Sequence, residues 1–317
     1  MKSCSLGRSI SMSGKEMAVF SGMGLALFMA LAVADPSDAT ISLRELPPPP
    51  PGQFGTLGFE IRVPWLEGCL EMRFPETLHS SLGLHFIDHY RADMPPLSRL
   101  EPYPVWRRNS ETGEVLYTAV TREGVEFSGA AIPDGDTVRM EFRVKNKTGK
   151  PMLNVASQMC LVLSKAPALG KTLDLSPCYA WIDGTFTSLA TTTPTPQQKG
   201  RKPWILLLTR GFAKHYRGPR DWPDGWWVVD QQADRNIIAR ITEDKNHLVA
   251  VAWDEADSQL MTNTMIPCLH AGPTRSVSIQ PDEEPVWRGT IYLMKNDPEL
   301  LLRRHEMDTK NGFRSNN

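Results

Sequence analysis

The sequence lacks the short motifs that mark many nucleotide-binding, metal-binding and hydrolytic proteins. It contains no glycine-rich phosphate loop, no CxxC pair and no nucleophile elbow, so none of those three kinds of site is predicted. Its formal net charge is −1 over 317 residues, whereas nucleic-acid binding needs a concentrated basic face. We therefore expect no nucleic-acid partner and no cofactor.

Long hydrophobic runs are also scarce, and the one that stands out covers residues 17–34. Basic residues precede it, and Ala32-Val33-Ala34 ends it with the small side chains that a signal peptidase recognises. This pattern predicts a secretory signal at residues 1–34, cleaved near Ala34, in preference to a retained membrane anchor. We therefore expect a secreted or periplasmic protein with no membrane contact beyond the signal segment.

Cysteine is sparse, with five residues in the chain, and Cys4 would leave with the signal. The other four would enter an oxidising compartment, where disulfides persist; they are Cys69, Cys160, Cys178 and Cys268. Four cysteines allow three pairings, and the sequence does not choose among them. Four buried thiols in a large core are the alternative, and both states stay open.

What the sequence does contain is a series of short alternating segments. In Thr137–Asn146, the apolar residues alternate with charged ones. The apolar residues are Val138, Met140, Phe142 and Val144, and the charged residues are Arg139, Glu141, Arg143 and Lys145. This alternation is typical of a half-buried strand in an antiparallel sheet. Similar runs separated by Gly, Pro, Asp or Asn recur along the chain and predict an all-β fold, a large antiparallel β-sandwich. The other predicted strands are Phe59–Val63, Leu70–Phe74, Val115–Thr121, Val125–Ala130, Met152–Leu163, Tyr179–Ile182, Trp204–Thr209, Trp226–Val229, Ile237–Ile241, Leu248–Trp253 and Val286–Met294.

The order of these signals indicates one folded body behind a spacer. Five consecutive prolines at 47–51 predict a stiff polyproline segment within a linker at 35–54. The sandwich domain is expected at 55–308, followed by a disordered polar tail at 309–317.

One short C-terminal helix is predicted to close the domain. Asp297 suits the N-cap position, Pro298 suits the first helical position, and Glu299 complements the positive helix start.

Two passages resemble the galactose-mutarotase-like supersandwich, a large β fold found in sugar epimerases and in domains of polysaccharide lyases and glycoside hydrolases. One is the strand ending at Asn146 with its turn, Pro151 and the returning strand. The other is Val277–Glu284 followed by Val286–Met294. The resemblance implies a sugar ligand. Because Ala156–Cys160 contains no histidine where the epimerases carry a catalytic one, it also implies that epimerase chemistry is absent.

The histidines are the candidate proton carriers. His85 and His89 flank Asp88, and their apolar neighbours favour a strand, on which the two rings would lie ~13 Å apart, too far for one metal ion. Cys268 and His270 lie in a segment bracketed by prolines, which we interpret as a rigid loop. No further ligand completes a set with them in the sequence, so no metal site is predicted. Catalytic residues therefore stay unassigned, with His85, His89 and His270 as candidates.

Aromatic residues give the strongest ligand signal. Arg220, Asp221, Trp222 and Asp224 lie in one turn-rich segment, where an indole could stack on a sugar ring while charged groups bind its hydroxyls. Trp106, beside two arginines, is a weaker candidate.

These features predict a secreted protein that binds a carbohydrate or related polyol. A sugar-processing isomerase, lyase or hydrolase using histidine acid–base residues is one alternative. An envelope structural or assembly protein is the other, and a wide exposed apolar patch would favour it.

Overall fold

Two large β-sheets dominate the protein. In a computed structural model, the described residues are 40–50, 55–88, 100, 102–170, 174–193, 204–218, 226–254, 256–263, 266–273 and 277–310. Their strands are β1 Ser42–Glu45, β2 Gly58–Arg62, β3 Leu70–Ser80, β4 Gly83–Ile87, β5 Arg107–Arg108, β6 Val115–Val120, β7 Val125–Asp134, β8 Thr137–Asn146, β9 Met152–Val162, β10 Cys178–Ile182, β11 Thr185–Ser188, β12 Trp204–Thr209, β13 Trp226–Ala233, β14 Ile237–Ile241, β15 His247–Trp253, β16 Gln259–Asn263, β17 Cys268–Ala271, β18 Val277–Ile279 and β19 Val286–Lys295. The helices are α1 Pro167–Gly170, α2 Arg210–His215 and α3 Pro298–Lys310, with a 3₁₀ turn at Leu189–Thr191.

The strands divide into a ten-stranded and a nine-stranded sheet. The larger follows the order β1-β2-β3-β9-β17-β16-β12-β13, with β4 beside β3 and β18 beside β9. The smaller follows the order β11-β10-β14-β15-β19-β8-β7-β6-β5. It ends at β5, whose two residues, Arg107 and Arg108, are both exposed. β3, β9 and β17 are consecutive neighbours, which places three strands from distant parts of the chain side by side.

The main core lies between the two sheets and follows the alternation in the sequence. In β8, the apolar residues Val138, Met140, Phe142 and Val144 are buried, and the charged residues between them are partly exposed. Burying one apolar face of each sheet against the other removes that surface from water and stabilises the sandwich. The prediction of a large all-β sandwich with a short C-terminal helix is confirmed.

One strand pair departs from the predicted antiparallel arrangement. β12 and β13 pair in parallel, with Trp204 opposite Trp226. Parallel neighbours need a crossover connection, usually helical. The connection here, residues 210–225, includes α2, whose Phe212 packs on β12 and β13 in a cluster with Leu206 and Val228.

The C-terminal helix covers the outer face of the nine-stranded sheet. Leu301 packs against outward-facing residues such as Ile237, Ala250 and Tyr292. The backbone N–H of Leu300 donates to Asp297 Oδ1 at 2.8 Å, so the predicted N-cap is present. Within the described residues, no helix is long and apolar enough to span a membrane.

Two segments predicted to be irregular contain strands in the structure, and α3 continues into the first two residues of the predicted tail, Thr309 and Lys310. β1 falls inside the segment predicted as linker and pairs with β2, Leu43 opposite Ile61; buried Ile41 and Leu43 explain why this stretch joins the sheet. The segment predicted as a proline-bracketed loop instead contains strand β17, in which Leu269 and Ala271 enter the core. The strand conformation directs the side chains of Cys268 and His270 away from the core.

Candidate functional site

Polar side chains gather on the outer face of the ten-stranded sheet, where β3, β9 and β17 lie side by side. We call this group the outer-face cluster; its members are Arg73, Glu76, Asp88, Gln158, Cys160, Cys268 and His270. Because Met159, Leu161 and Leu269 point into the core, strand alternation directs Gln158, Cys160, Cys268 and His270 to the opposite face. Burial of these polar groups requires partners for each of them.

Arg73 holds the charged part of the cluster together. Its guanidinium lies 3.2 Å from Asp88 Oδ2, 3.8 Å from Glu76 Oε1 and 3.6 Å from Glu71 Oε1. These carboxylates outweigh burial and raise the pKa of Arg73. The Lys165 ammonium lies 2.8 Å from the other Glu71 oxygen. This part of the cluster therefore groups carboxylates with cationic side chains.

Glu76 connects the charged part to the thiol part. Its Oε2 accepts a hydrogen bond from Gln158 Nε2 at 2.5 Å and lies 3.4 Å from His270 Nε2. Glu76 and His270 are both buried, whereas Gln158 is half-buried and the Arg73 side chain is 24% exposed. The cluster thus meets solvent at its Arg73–Gln158 end.

The thiol part places a cysteine beside the other nitrogen of the imidazole. Cys268 Sγ lies 3.9 Å from His270 Nδ1 and accepts a hydrogen bond from Asn263 Nδ2 at 3.1 Å. The hydrogen bond with Cys160, followed by the nearby imidazolium, lowers the pKa of Cys268 against the effect of burial. Burial alone would lower the pKa of His270, but the Cys268 thiolate and Glu76 raise it. The geometry favours a thiolate–imidazolium pair.

The structure describes three of the predicted site residues, His85, His270 and Trp106. His270 lies in the outer-face cluster with a carboxylate beside it. His85 is fully buried in β4, in the strand conformation favoured by its neighbours, and its Nε2 lies 2.7 Å from Ser80 Oγ. His89 lies outside the described residues, as do Arg220, Asp221, Trp222 and Asp224.

Trp106 corrects the prediction of a second ligand-binding indole. It is 3% exposed and packs in the core, with ring centroids 4.7 Å from Tyr117 and 5.0 Å from Phe59. The next two residues, Arg107 and Arg108, point to solvent. The charged neighbours suggested a surface position, but the indole itself completes the apolar face between the sheets and presents no face to a ligand.

Burial of His85 predicts a measurable dependence of stability on pH. Desolvation lowers the pKa of His85 from 6.5 to about 4, opposed by the Glu123 carboxylate. The folded protein therefore resists protonation, and the contribution of neutral His85 is complete above pH 6.5 and lost as the pH falls toward 4. Between these limits the loss is at most about 3 kcal/mol, because one pKa unit corresponds to about 1.4 kcal/mol.

Urea unfolding of the wild type and of His85→Gln across this pH range checks the prediction. The substitution keeps a polar group for Ser80 and removes the titrating ring, so the free energy of unfolding should fall less steeply in the variant. If the free energy of unfolding falls equally with pH in the wild type and the variant, His85 does not contribute to the pH dependence of stability.

The sequence missed several residues of the outer-face cluster. Arg73 and Glu76 lie on the predicted strand or just beyond its predicted end, and Cys160 lies on another strand. Their charged or thiol side chains in buried strands were the available signal. Their convergence depends on the order β3-β9-β17, for which the sequence carries no local pattern.

A cavity lies beside α3, and none of the cluster residues lines it. Its volume is about 350 Å³, and Asp234, Arg235, Trp253, His305 and Glu306 contribute to its lining. Burial lowers the pKa of His305 to about 4, so this histidine is neutral at pH 7. Among the described residues, the predicted site residues His85, His270 and Trp106 do not line it.

All four cysteines that follow the predicted signal are buried free thiols in the structure. Cys69 and Cys178 are not members of the outer-face cluster. Cys178 accepts a hydrogen bond from Arg240 at 3.2 Å, and burial, the largest influence, raises the pKa of both thiols.

Comparison with known proteins finds similarity only among solved structures. No family profile matches the chain, and no curated protein matches it. The Slr1438 protein from Synechocystis sp. PCC 6803 is 9% identical with a TM-score of 0.39, over 78% of this chain and 99% of that one. A galactose mutarotase related enzyme from Lactobacillus acidophilus is 10% identical with a TM-score of 0.36, over 60% and 71%. An aldose epimerase homologue from C. elegans is 8% identical with a TM-score of 0.33, over 70% and 79%. Two of these three neighbours are thus described as relatives of galactose mutarotase or aldose epimerase.

Proposed function

We propose that the protein binds a carbohydrate at the solvent-facing end of the outer-face cluster. The observation that carries this proposal is the grouping of carboxylates, a guanidinium and an amide at one partly exposed end of the cluster. Glu71, Glu76 and Asp88 carry acceptor oxygens, and Arg73 and Gln158 carry N–H donors. Vicinal sugar hydroxyls both donate and accept hydrogen bonds without carrying charge, so they suit a group of this kind.

The carboxylates of the cluster disfavour anionic ligands. A phosphate or carboxylate approaching Asp88 and Glu76 would meet like charges at short range, which costs free energy in a partly buried site. Neutral sugars avoid that cost, and Arg73 and Gln158 supply donors to their ring and hydroxyl oxygens. We therefore expect neutral sugars to bind more tightly than sugar phosphates of the same ring.

The aromatic segment predicted to bind sugar, with Arg220, Asp221, Trp222 and Asp224, lies outside the described residues. The role of Trp222 in stacking on a sugar stays a prediction.

Gln158→Ala is expected to weaken sugar binding about tenfold, the equivalent of one hydrogen bond. Gln158 is half-buried and orients Glu76 through its amide, so its loss alters the binding group without opening the core. Titration calorimetry with a panel of neutral mono- and oligosaccharides, and with the matching sugar phosphates, measures the change.

Gln231→Ala is the matched control. Gln231 is also half-buried in the ten-stranded sheet, and its Nε2 donates a comparable bond to Thr193 Oγ1 at 3.1 Å. The control should bind sugar like the wild type. Equal loss in both variants, or no sugar bound by the wild type, would contradict the proposal.

We propose binding in preference to sugar turnover because both ring nitrogens of His270 face protein groups, Cys268 and Glu76. Such a ring is poorly placed to exchange a proton with a ligand. Polarimetry on freshly dissolved anomers distinguishes the two: mutarotation faster than the spontaneous rate, and lost in His270→Gln, would favour the enzymatic alternative.

We also propose that the protein acts after export, on the strength of the basic, apolar and small-residue pattern of residues 1–34. Expression in a bacterial host with an intact export system should release a chain beginning at Asp35. N-terminal sequencing of the periplasmic fraction tests this, and an uncleaved chain in the membrane fraction would contradict it.

A further inference from the structure

Two thiols and one imidazole converge on the outer face of the ten-stranded sheet. His270 on β17 lies directly opposite Cys160 on β9, and Cys268 lies two residues from His270 on the same face. The two Sγ atoms and a ring nitrogen of His270 all lie within 4.8 Å of one another. All three residues are buried, with exposures of 2% to 4%.

The separation of these atoms suits a single tetrahedral metal ion. Zinc binds thiolates at about 2.3 Å and imidazole at about 2.0–2.1 Å, so two ligand atoms of one tetrahedral ion lie roughly 3.5–3.8 Å apart. The distance from Cys268 Sγ to His270 Nδ1 is 3.9 Å. Small side-chain rotations bring the set to bonding distance, and strand pairing fixes the backbone beneath it.

The donor types select the class of ion. Thiolate and imidazole are soft or borderline donors and favour zinc or copper(I) over magnesium or calcium, which require oxygen ligands. Two thiolates would also balance the charge of a zinc ion, which lowers the cost of placing it in a buried position.

The surroundings of the imidazole match those of a metal-binding histidine. Its Nδ1 faces the thiols, and its Nε2 lies 3.4 Å from Glu76 Oε2. A metal-bound histidine usually donates its second N–H to a carboxylate or carbonyl group, which fixes the ring. Gln158 in turn holds Glu76, and the Asn263 amide donates to Cys268 Sγ at 3.1 Å. Both ring nitrogens therefore already have the neighbours that such a site needs.

We propose that Cys160, Cys268 and His270 bind one zinc ion, with Glu76 orienting the histidine and a fourth position left for an exogenous ligand. The three zinc ligands are distinct from the proposed sugar contacts at the Arg73–Gln158 end, and Glu76 lies between the two groups. Cys-x-His on one strand supplies two ligands, and the neighbouring strand supplies the third. Binding requires release of the Cys160 thiol proton and of the proton between Cys268 and His270, so affinity should rise with pH.

Metal titration of the full chain, purified with a reductant and stripped with a chelator, tests the site. We expect one zinc ion per chain by calorimetry, and cobalt(II) in its place should give thiolate-to-metal absorption and the visible bands of a tetrahedral site. Cys160→Ser, Cys268→Ser and His270→Gln should each weaken zinc binding by at least about a hundredfold. Glu76→Gln, which removes only the supporting carboxylate, should weaken it roughly 10–100-fold.

Cys69→Ser is the matched control, because Cys69 is a buried free thiol whose charged neighbours are Glu60, Lys165 and Arg62. The zinc affinity of this variant should equal that of the wild type. If a ligand variant fails to fold, the cobalt spectrum of the wild type decides alone, since it reports thiolate ligation directly. Reduced, folded wild type that binds no zinc, or binding unaffected by Cys160→Ser, would overturn the proposal. The sugar titrations with Gln158→Ala are read independently, so either proposal can fail without the other.

Discussion

Arg73→Met is expected to lower the free energy of unfolding by about 3 kcal/mol. Methionine keeps most of the buried aliphatic volume but removes the charge that faces Asp88, Glu76 and Glu71. Asp88 and Glu76 are about 95% buried, so their carboxylates would lose a cation without gaining full access to water. Chemical denaturation at neutral pH measures the change.

Arg62→Met provides the matched control. Arg62 and Glu60 both lie on β2, and their charged groups are 3.6 Å apart. Because the Arg62 side chain is 55% exposed, loss of this pair should cost no more than about 0.5 kcal/mol of stability. Adding Asp88→Asn to Arg73→Met should restore part of the lost stability, because it removes one of the buried carboxylate charges that faced Arg73. Equal effects at both arginines would show that the cluster contributes no more than a surface ion pair.

Phe74→Ala is expected to cost about 3–5 kcal/mol. Phe74 is fully buried between the sheets, and alanine would leave a cavity that rigid sheets cannot fill. Five aromatic rings have their centroids within 6.5 Å of its own: Phe59, Trp106, Tyr117, Phe142 and Trp253. Thermal or urea unfolding, with near-ultraviolet circular dichroism as a probe of aromatic packing, measures the loss.

Leu116→Ala serves as the comparison for a large apolar residue outside the core. Leu116 lies on β6 and is 41% exposed, so its truncation should change stability by less than about 0.5 kcal/mol. A cost at Phe74 no greater than that at Leu116 would mean that the aromatic cluster is loosely packed or able to collapse around the cavity.

The sequence predicts the sandwich where one face of a strand is polar and the other apolar. Thr137–Asn146 and Ile237–Ile241 have the predicted bounds, because alternation or an apolar run ends at turn-forming residues. Gln259–Asn263 escaped prediction because every residue of the strand is buried. A strand covered on both faces can carry polar residues that bond within the protein, and it then shows no alternation.

The candidate site is less accessible to prediction than the fold. The Cys268-x-His270 pair was visible, but the flanking prolines suggested a loop, and Cys160 lies more than a hundred residues earlier in the chain. Glu76 joins His270 only because β9 lies between β3 and β17. Strand order over such separations follows from the global packing of both sheets, and a single sequence contains no local signal for it.

The short edge strand β5 has a consequence for how these molecules behave when crowded together. Open sheet edges are templates on which another chain can add a strand, and repeated addition gives fibrils. At this edge an incoming strand would find only Arg107 and Arg108, two exposed guanidinium groups on two residues of backbone. Their charge and the shortness of the ladder should block growth of the nine-stranded sheet from molecule to molecule.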